Sequence, residues 1–359
     1  MKYAVYMLSV IFLTACSGEQ KQNSTNTQDS QSIEIYGNTQ GTTYGIIIND
    51  EIEIDKDEVD DVLSEFDKAL SSYIPNSILT ELNNAPAGNF VYSDTHNYFN
   101  RCYQLSQEVF HLTDGYFEPT IYPLVDGWGF MKNVEQVPDS SVVDSLRALL
   151  GFGDGYHFTF LMQEIEGDTL PKNTIFKRTP QAKLDFNAIA QGLAVDVIAE
   201  LIESKGGKNY FVEIGGEIRV KGKNKDGVFW RIGIDKPIEN SSAETREIYE
   251  IVELDNLSIA TSGSYRKFYE KGGQKYSHTL NPKTGYPVSH NLLSVSVVAE
   301  NCALADALAT AFMVMGVDKT KEFVKSHPDL NIEVYLIFNN SKNRLETFYT
   351  AGMAEMITE

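Results

Sequence analysis

The chain has 359 residues, of which 42% are apolar, and a formal net charge of -20. This length suits one large domain or two moderate ones, and this apolar fraction is typical of a globular protein rather than a disordered one. The negative charge argues against nucleic acid as a partner, because its phosphates would be repelled. A solvated acidic surface is the commoner explanation of such a charge, although it would also suit a cation site.

Residues 1–15 have the features of a bacterial lipoprotein signal peptide. Lys2 supplies a positive charge, residues 3–12 are apolar, and Leu13-Thr14-Ala15-Cys16 has the pattern of a lipobox. The apolar stretch is too short to span a membrane. We therefore predict cleavage before Cys16, lipidation of Cys16, and anchoring at the periplasmic face of a bacterial membrane, with the inner membrane favoured. The alternative is an ordinary signal peptide with an unrelated cysteine.

The first half of the chain predicts a tether and then alternating strands and helices. Residues 16–32 are rich in Gln, Asn, Ser and Thr, which is typical of a flexible tether, so the folded domain is predicted at 33–359. Two strands are predicted from Ile33 to Ile48 around a turn at Gly41. Apolar residues then recur at helical spacing in two segments, 59–70 and 99–109, and Asp114-Gly115 ends the second.

The second half predicts a long helix after Asn187, which is a plausible N-cap, ending at Gly206-Gly207. A second helix, small and apolar, is predicted at 303–315. The predicted strands are Tyr210–Ile214, Glu217–Lys221, Trp230–Ile234, Ile248–Leu254, Leu293–Val298 and Val334–Phe338. Because the elements mix without a regular βαβ alternation, the predicted class is α+β. Cys102 and Cys302 lie in apolar helical patterns and are predicted to be buried free thiols; no Cys/His cluster suggests zinc.

Standard nucleotide and hydrolase motifs are missing from the sequence. It contains no Walker A motif and no G-x-S-x-G elbow, and the glycine-rich segment 151–155 lacks the GxGxxG spacing and is predicted to be a loop. These absences weaken the case for a standard NTPase, hydrolase or Rossmann enzyme.

Two segments suggest a flat, phosphorylated ligand. In the segment 114–120, followed by Trp128-Gly129-Phe130, aromatic residues near a glycine turn could stack on a ring; the alternative is a tight corner with buried rings. In the segment 184–192, the free amides of a helix starting at Asn187 would suit a pyrophosphate. Asp185 could accept hydrogen bonds from a base or a ribose. The alternative for this segment is a capped helix without a ligand.

A third group of segments, 260–265, 277–285 and 305–310, suggests a metal site. Asp306 and Thr310 are four residues apart and share a helix face, and a carboxylate beside a hydroxyl suits Mg²⁺. An unpaired aspartate in an apolar helix is costly, so either a metal ion or a buried salt bridge is expected. His278 stands out among six histidines, although a lone histidine is more often structural.

Together these segments resemble the ApbE family, the FAD:protein FMN transferases, from about Gly41 to about Gly316. The resemblance implies a single ApbE-like catalytic domain, related to the T-fold, with mixed and antiparallel sheets and packed helices. The matching pieces occur in the family's order: Gly41–Tyr44, Ser72-Tyr73 with Asn76-Ser77, Leu82-Asn83, Asp114–Thr120, Trp128–Phe130, Leu184–Gly192, Glu213–Gly216, Ala260–Tyr265, His278–Gly285 and Ala305–Thr310.

The resemblance implies an enzyme that cleaves FAD with Mg²⁺, attaches FMN through its phosphate to a threonine of a client flavoprotein, and releases AMP. The clients it implies include subunits of the Na⁺-translocating NADH:quinone reductase and of Rnf complexes. An alternative on the same site is an FAD pyrophosphatase, which yields FMN and AMP. A second alternative, from another class, is a non-catalytic flavin-binding lipoprotein.

The resemblance also implies roles for individual residues. It places Mg²⁺ on Asp306, Thr310 and the backbone carbonyl of Ala188. It places FAD along Gln40, Tyr73, Tyr116, Phe117, Glu118, Asp185, Gln191 and His278. His278 is a candidate catalytic base and equally a candidate flavin contact. The family commonly has Met in place of Gln40, Lys in place of Gln191 and Asp in place of Glu118.

Overall fold

The computed structural model describes residues 32–130, 137–153, 156–162, 172–238, 245–264, 268–271 and 274–358. The predicted signal peptide, Cys16, nearly all of the tether and Tyr265 lie outside these residues, so lipidation and membrane anchoring stay predictions. Within the described part of the chain, no helix has the length and apolar character needed to cross a membrane.

Nine α-helices are described, and two of the long ones begin at a side-chain cap. Asp55 caps α1, since its carboxylate accepts from the N–H of Glu58 at 2.9 Å. Asn301 caps α7 through the N–H of Leu304, and Gly316 ends it. The helices are α1 Lys56–Leu70, α2 Ile78–Asn84, α3 Tyr98–Leu112, α4 Tyr122–Gly127, α5 Ser140–Arg147, α6 Ala190–Ser204, α7 Cys302–Met315, α8 Val317–Ser326 and α9 Ala351–Met356.

An eight-stranded antiparallel sheet forms the centre of the fold, in the order β1-β2-β6-β7-β10-β15-β16-β17. Its strands are β1 Ile33–Thr39, β2 Thr42–Ile48, β6 Tyr210–Ile214, β7 Glu217–Lys221, β10 Leu257–Gly263, β15 Leu292–Ala299, β16 Glu333–Asn339 and β17 Leu345–Tyr349. The smaller sheets contain β3 Gly88–Ser93, β4 Phe158–Met162 and β5 Lys172–Lys177; β8 Trp230–Asp235 and β9 Ile248–Leu254; β11 Phe268–Lys271 and β12 Gln274–Ser277; and β13 Leu280–Asn281 and β14 Tyr286–Pro287.

Both faces of the large sheet are covered. Consecutive residues of β16 show this. Val334 and Leu336 belong to the main core, which includes α1, α3, α6 and α7. Tyr335 and Ile337 belong to a second core, under β8, β9 and α9. Neighbouring residues of a strand point to opposite faces, so an uninterrupted apolar run is what a doubly covered strand requires.

The predicted class, α+β, is confirmed, and most predicted elements have their expected type. Cys102 and Cys302 are buried free thiols, as predicted. The prediction of Asn187 as the N-cap of a helix is wrong. The helix, α6, begins at Ala190 with Ile189 at the cap position, and the N–H of Asn187 donates to Asp185 Oδ1 at 2.8 Å. That bond holds residues 187–189 in a turn, so the helix starts later.

Candidate functional site

Three segments that are distant in sequence meet around one pocket beside the first strands of the large sheet. The pocket is lined by the β1–β2 turn, by the connection from α1 to α2, and by the turn that leads into α6. Its lining residues are Gln40, Phe66, Asp67, Leu70, Ser71, Ser72, Tyr73, Asn187, Ala190 and Gln191. Three predicted FAD residues, Gln40, Tyr73 and Gln191, are therefore brought together, and we call this the dinucleotide pocket.

The pocket contains buried polar atoms that need a partner. Gln40 Nε2 and Ser72 Oγ are buried, and no residue in the described part of the chain hydrogen-bonds to them. A buried donor without a partner costs about 1–3 kcal/mol, so a polar ligand at these atoms would offset that cost. Tyr73 is 73% exposed beside them. A ring this open is free to lie against a flat ligand.

The predicted Gln191 contact depends on a glycine in the β6–β7 turn. Gly215 has a φ of +61°, and a Cβ there would lie 1.8 Å from Gln191 Nε2. The side chain of Gln191 therefore lies directly over the turn, where a larger residue would displace it. In the same turn, Glu213 Oε1 accepts from the N–H of Gly216 at 2.6 Å. The motif Glu213–Gly216 thus shapes one wall beside the pocket.

The predicted metal residues lie where α6 and α7 make close contact. A Cβ at Gly192 would be 2.4 Å from the carbonyl oxygen of Cys302 and 2.9 Å from Asp306 Cβ, so only glycine permits this approach. The N–H of Gly192 donates to Asp306 Oδ2 at 3.1 Å. Thr310, one turn along α7, has its hydroxyl 3.3 Å from Ser262 Oγ on β10.

The donor set at this contact fits Mg²⁺. Burial raises the pKa of Asp306 to about 7, although the hydrogen bond from Gly192 opposes this. A cation would stabilise the ionised carboxylate that burial penalises. The carbonyl of Ala188 lies on the turn just before α6, and hard oxygens of this kind suit Mg²⁺. Within the described residues, no group of three or more His, Cys, Asp or Glu side chains could hold a metal ion by itself.

Asp196 fixes α7, and with it Asp306, against α6. Its carboxylate is fully buried and accepts from the N–H groups of Cys302 and Ala303, both at 2.9 Å, and from Arg219 at 2.7 Å. A carboxylate at the positive end of a helix dipole is favourable. This ion pair therefore sets the position of the helix that carries Asp306 and Thr310, the predicted metal residues.

Asp185 is held by contacts on both sides. Its N–H donates to the carbonyl of Pro119 at 2.7 Å, which joins it to the segment of Glu118. The side chain of Asn83 makes two bonds to the backbone of Leu184, donating to its carbonyl at 2.8 Å and accepting from its N–H at 2.7 Å. The sequence motif Leu82-Asn83 did not predict a role for Asn83. In the structure, Asn83 supports the segment that contains Asp185.

The Tyr116–Glu118 stretch has few side-chain atoms left for a ligand. The ring of Phe117 is buried in the main core, so only its backbone could contact FAD. Glu118 Oε1 accepts from both the N–H and the hydroxyl of Thr120, at 2.9 and 2.6 Å. Tyr116 is half-buried, with Lys319 Nζ 4.7 Å from its ring centroid. Glu118 is half-buried like Tyr116, whose hydroxyl accepts from Lys319 Nζ, so both side chains are only partly open to a ligand.

The segment of His278 reaches the same region. His278 is half-buried and follows β12 directly. Further along this segment, Lys283 pairs with Asp114 at 3.2 Å and lies 5.5 Å from the ring centroid of Tyr116. Trp128 Nε1 donates to the carbonyl of Gly285 at 2.8 Å, which secures the far end of the segment. The indole is therefore part of the scaffold rather than a stacking surface.

The sequence assigned no role to three polar residues that line the pocket, Asp67, Ser71 and Ser72, nor to Asn83, which holds the backbone of Leu184. Ser72 and Asn83 belong to the family motifs Ser72-Tyr73 and Leu82-Asn83, so the sequence did contain a signal for them. Asp67 lies in an amphipathic helix among other acidic residues, where nothing in the sequence distinguishes it.

Comparisons with known proteins identify the family. The ApbE family model matches residues 40–336. The FAD:protein FMN transferase of Vibrio cholerae is 34% identical over 326 residues, which are 88% of this chain and 88% of that protein. The enzyme of the same name from Escherichia coli K12 is 30% identical over 92% of this chain and 90% of its own length.

Solved structures give the same result. The flavin transferase ApbE from Vibrio cholerae superposes with a TM-score of 0.75 at 33% identity, covering 91% of this chain and 99% of that one. The apo flavinyl transferase ApbE of Pseudomonas stutzeri also has a TM-score of 0.75, at 30% identity, covering 91% and 96%. The fold and these relatives define a flavin transferase. The chain belongs to the ApbE family.

Proposed function

We propose that this protein is an FAD:protein FMN transferase that uses Mg²⁺ to cleave FAD and attaches FMN through a phosphoester bond to a threonine of a client flavoprotein. The transferase class follows from membership of the family and from the shared name of its relatives. The observation that carries the detailed proposal is the assembly of Gln40, Tyr73 and Gln191 around one pocket. In that pocket, Asn187 directly precedes Ala188, and Ala190 is two residues before Gly192. The N–H of Gly192 donates to Asp306.

In this proposal the chain holds FAD across the pocket. Asp185, kept in place by Asn83 and Pro119, takes the adenosine part, and Tyr73 lies against a ring of the ligand. The amides at the start of α6 contribute less than a free helix end would, because the N–H of Ala190 donates to Phe186 and that of Gly192 to Asp306. Positioning of the pyrophosphate therefore falls mainly to polar side chains of the pocket and to the cation that Asp306 would hold.

Asp306, Thr310 and the carbonyl of Ala188 would hold Mg²⁺. When bound, this ion offsets the charge of the pyrophosphate and of the departing AMP. The oxygen of the client threonine forms a bond to the FMN phosphorus while the bond from that phosphorus to the AMP phosphate breaks. The threonine proton passes either to His278 or to a phosphate oxygen. The alternative role of His278 is a flavin contact.

The partners and the location belong to the same proposal. The clients would be flavoprotein subunits such as those of the Na⁺-translocating NADH:quinone reductase or of Rnf complexes. The enzyme would be attached through lipidated Cys16 to the periplasmic face of a bacterial membrane, with residues 17–32 as the tether. These statements rest on the sequence pattern and on the family resemblance.

One reaction separates the proposed function from its alternatives. The purified domain is mixed with FAD, Mg²⁺ and a purified client subunit, and client mass and AMP are measured. Transfer gives a client heavier by one FMN together with an equal amount of AMP. AMP with an unlabelled client indicates an FAD pyrophosphatase. Unchanged FAD with retained binding indicates a flavin-binding lipoprotein, and either result contradicts the proposal.

A further inference from the structure

A second cavity lies beside the dinucleotide pocket, between the first strand and the first helix. Its volume is about 470 Å³, within the usual range of ligand sites. It is lined by Tyr36, Gly37, Asn38, Thr39, Lys56, Asp60, Leu63, Ser64, Asp67 and Ile74. We call it the β1–α1 cleft. Asp67 lines both cavities, and Thr39 precedes Gln40 of the pocket, so the cleft adjoins the dinucleotide pocket.

One wall of the cleft is a sheet edge. Within the described residues β1 pairs on one side only, with β2. Thr39 pairs with Thr42 across a two-residue turn, so this pair closes the hairpin by hydrogen bonds. Asn38 and Tyr36 then occupy non-hydrogen-bonded positions opposite β2, and their N–H and C=O groups point outward. An added strand could pair with these groups.

The other wall is one face of α1. Leu63 is buried and gives an apolar floor, and Ser64, one residue on, is exposed and small. Lys56 forms an ion pair with Asp60, whose other oxygen accepts from the hydroxyl of Tyr44 at 2.6 Å. A groove between an edge strand and a helix, with backbone groups on one side and side chains on the other, is suited to an extended peptide.

Asp67 marks the end of the cleft that meets the pocket. Its carboxylate is half-buried, and no hydrogen-bond donor reaches it from the described part of the chain. Burial raises the pKa of Asp67 to about 6. A donor supplied by a bound segment, either an N–H or a hydroxyl, would satisfy it.

We propose that the β1–α1 cleft binds an extended segment of the client protein, which pairs with β1 as an added strand and places its acceptor threonine at the Asp67 end. This inference rests on the proposed FMN transfer, and it names the surface that selects the client. A strand bound along Tyr36–Thr39 would bring its end to Gln40, at the edge of the dinucleotide pocket. The site for FAD and the site for the client would thus be separate and adjacent.

Two pairs of variants test the cleft, with a purified subunit of the Na⁺-translocating NADH:quinone reductase as the client. Ser64→Trp fills the cleft, whereas Asp61→Trp puts the same bulk on an exposed position of α1 outside it. Asn38→Pro removes an outward N–H, which an edge strand tolerates, and Asn38→Ala keeps it. For each variant the KM for client, the Kd for FAD, the urea midpoint and the oligomeric state are measured.

We expect Ser64→Trp and Asn38→Pro to raise the KM for client at least tenfold, with unchanged Kd for FAD and unchanged stability. Asp61→Trp should behave like wild type, and Asn38→Ala, which keeps the outward N–H, should raise the KM for client less than Asn38→Pro does. An unchanged KM in folded Ser64→Trp and Asn38→Pro would overturn the docking site alone. A weaker Kd for FAD in Ser64→Trp would assign the cleft to the dinucleotide instead. Dissociation of a dimer by Ser64→Trp with an unchanged KM would assign it to a second copy of the chain. Wild-type protein that binds FAD but labels no client would remove the proposed function itself, and the docking site with it.

Discussion

Replacing Asp306 with asparagine tests the metal site through stability as well as activity. Asp306→Asn keeps the shape and the oxygen that accepts from the N–H of Gly192, but it removes the negative charge. FMN transfer should fall by orders of magnitude. In metal-free buffer the folded protein should nevertheless become more stable at high pH, because a buried charge without a cation has been removed.

The structure sets the size of this gain. Burial raises the pKa of Asp306 from 3.8 to about 7. Each pKa unit corresponds to about 1.4 kcal/mol, so the ionised carboxylate costs the cation-free fold roughly 4 kcal/mol at pH 8. The folded-state pKa lies above the unfolded one, so the cost develops as the pH rises from about 4 to about 7 and is absent below pH 4. The buried NH₂ group of the asparagine costs about 1–3 kcal/mol. The net gain in the free energy of unfolding is therefore about 2 kcal/mol.

Urea denaturation measures the free energy of unfolding of both proteins. It is carried out in EDTA at pH 4 and pH 8, and in Mg²⁺ with FAD at pH 8. The variant should be the more stable protein at pH 8 in EDTA and lose that advantage at pH 4. Wild type should gain stability with Mg²⁺, about 2.7 kcal/mol at one hundred times its Kd, and the variant should gain much less. A variant that is less stable at pH 8 in EDTA and keeps the wild-type response to Mg²⁺ would refute the reasoning, since Asp306 would then be the partner of a buried cation.

Three further predictions concern FAD, the cysteines and the anchor. Asp185→Ala should weaken FAD binding by about 1–3 kcal/mol and leave FMN binding nearly unchanged in titration calorimetry, because FMN lacks the adenosine; equal losses for both ligands would contradict this placement. Cys102 and Cys302 should resist a thiol reagent in the native domain and react in denaturant, since burial raises the pKa of both thiols; rapid native labelling would indicate an opening of the core. Cys16→Ser should release the protein from membranes or leave it unprocessed, and unchanged fractionation with normal cleavage would argue against lipidation.

The periodicity of the sequence correctly predicted those helices and strands whose type depends on local spacing. The 3.6-residue repeat locates α7 and puts Asp306 and Thr310 on one face, because both depend on spacing within a single helix. The uninterrupted apolar run of β16 predicts a strand, and its burial on both faces follows from the second core. The family resemblance, the α+β class and the transferase function are confirmed. They could be predicted because the motifs that carry them are short segments, which are readable in order along the sequence.

Tertiary contacts determined where α6 begins and what surrounds the site. Asp185 takes the N–H of Asn187, so a good capping residue is used in a turn and the helix starts at Ala190. The ring of Phe117 faces the core, although its sequence context is equally suited to stacking on a ligand. The dinucleotide pocket joins residues as far apart as Gln40 and Gln191. Such contacts depend on which strands and helices become neighbours, and local propensity carries no information about that choice, because the free energy that selects it comes from packing between distant segments.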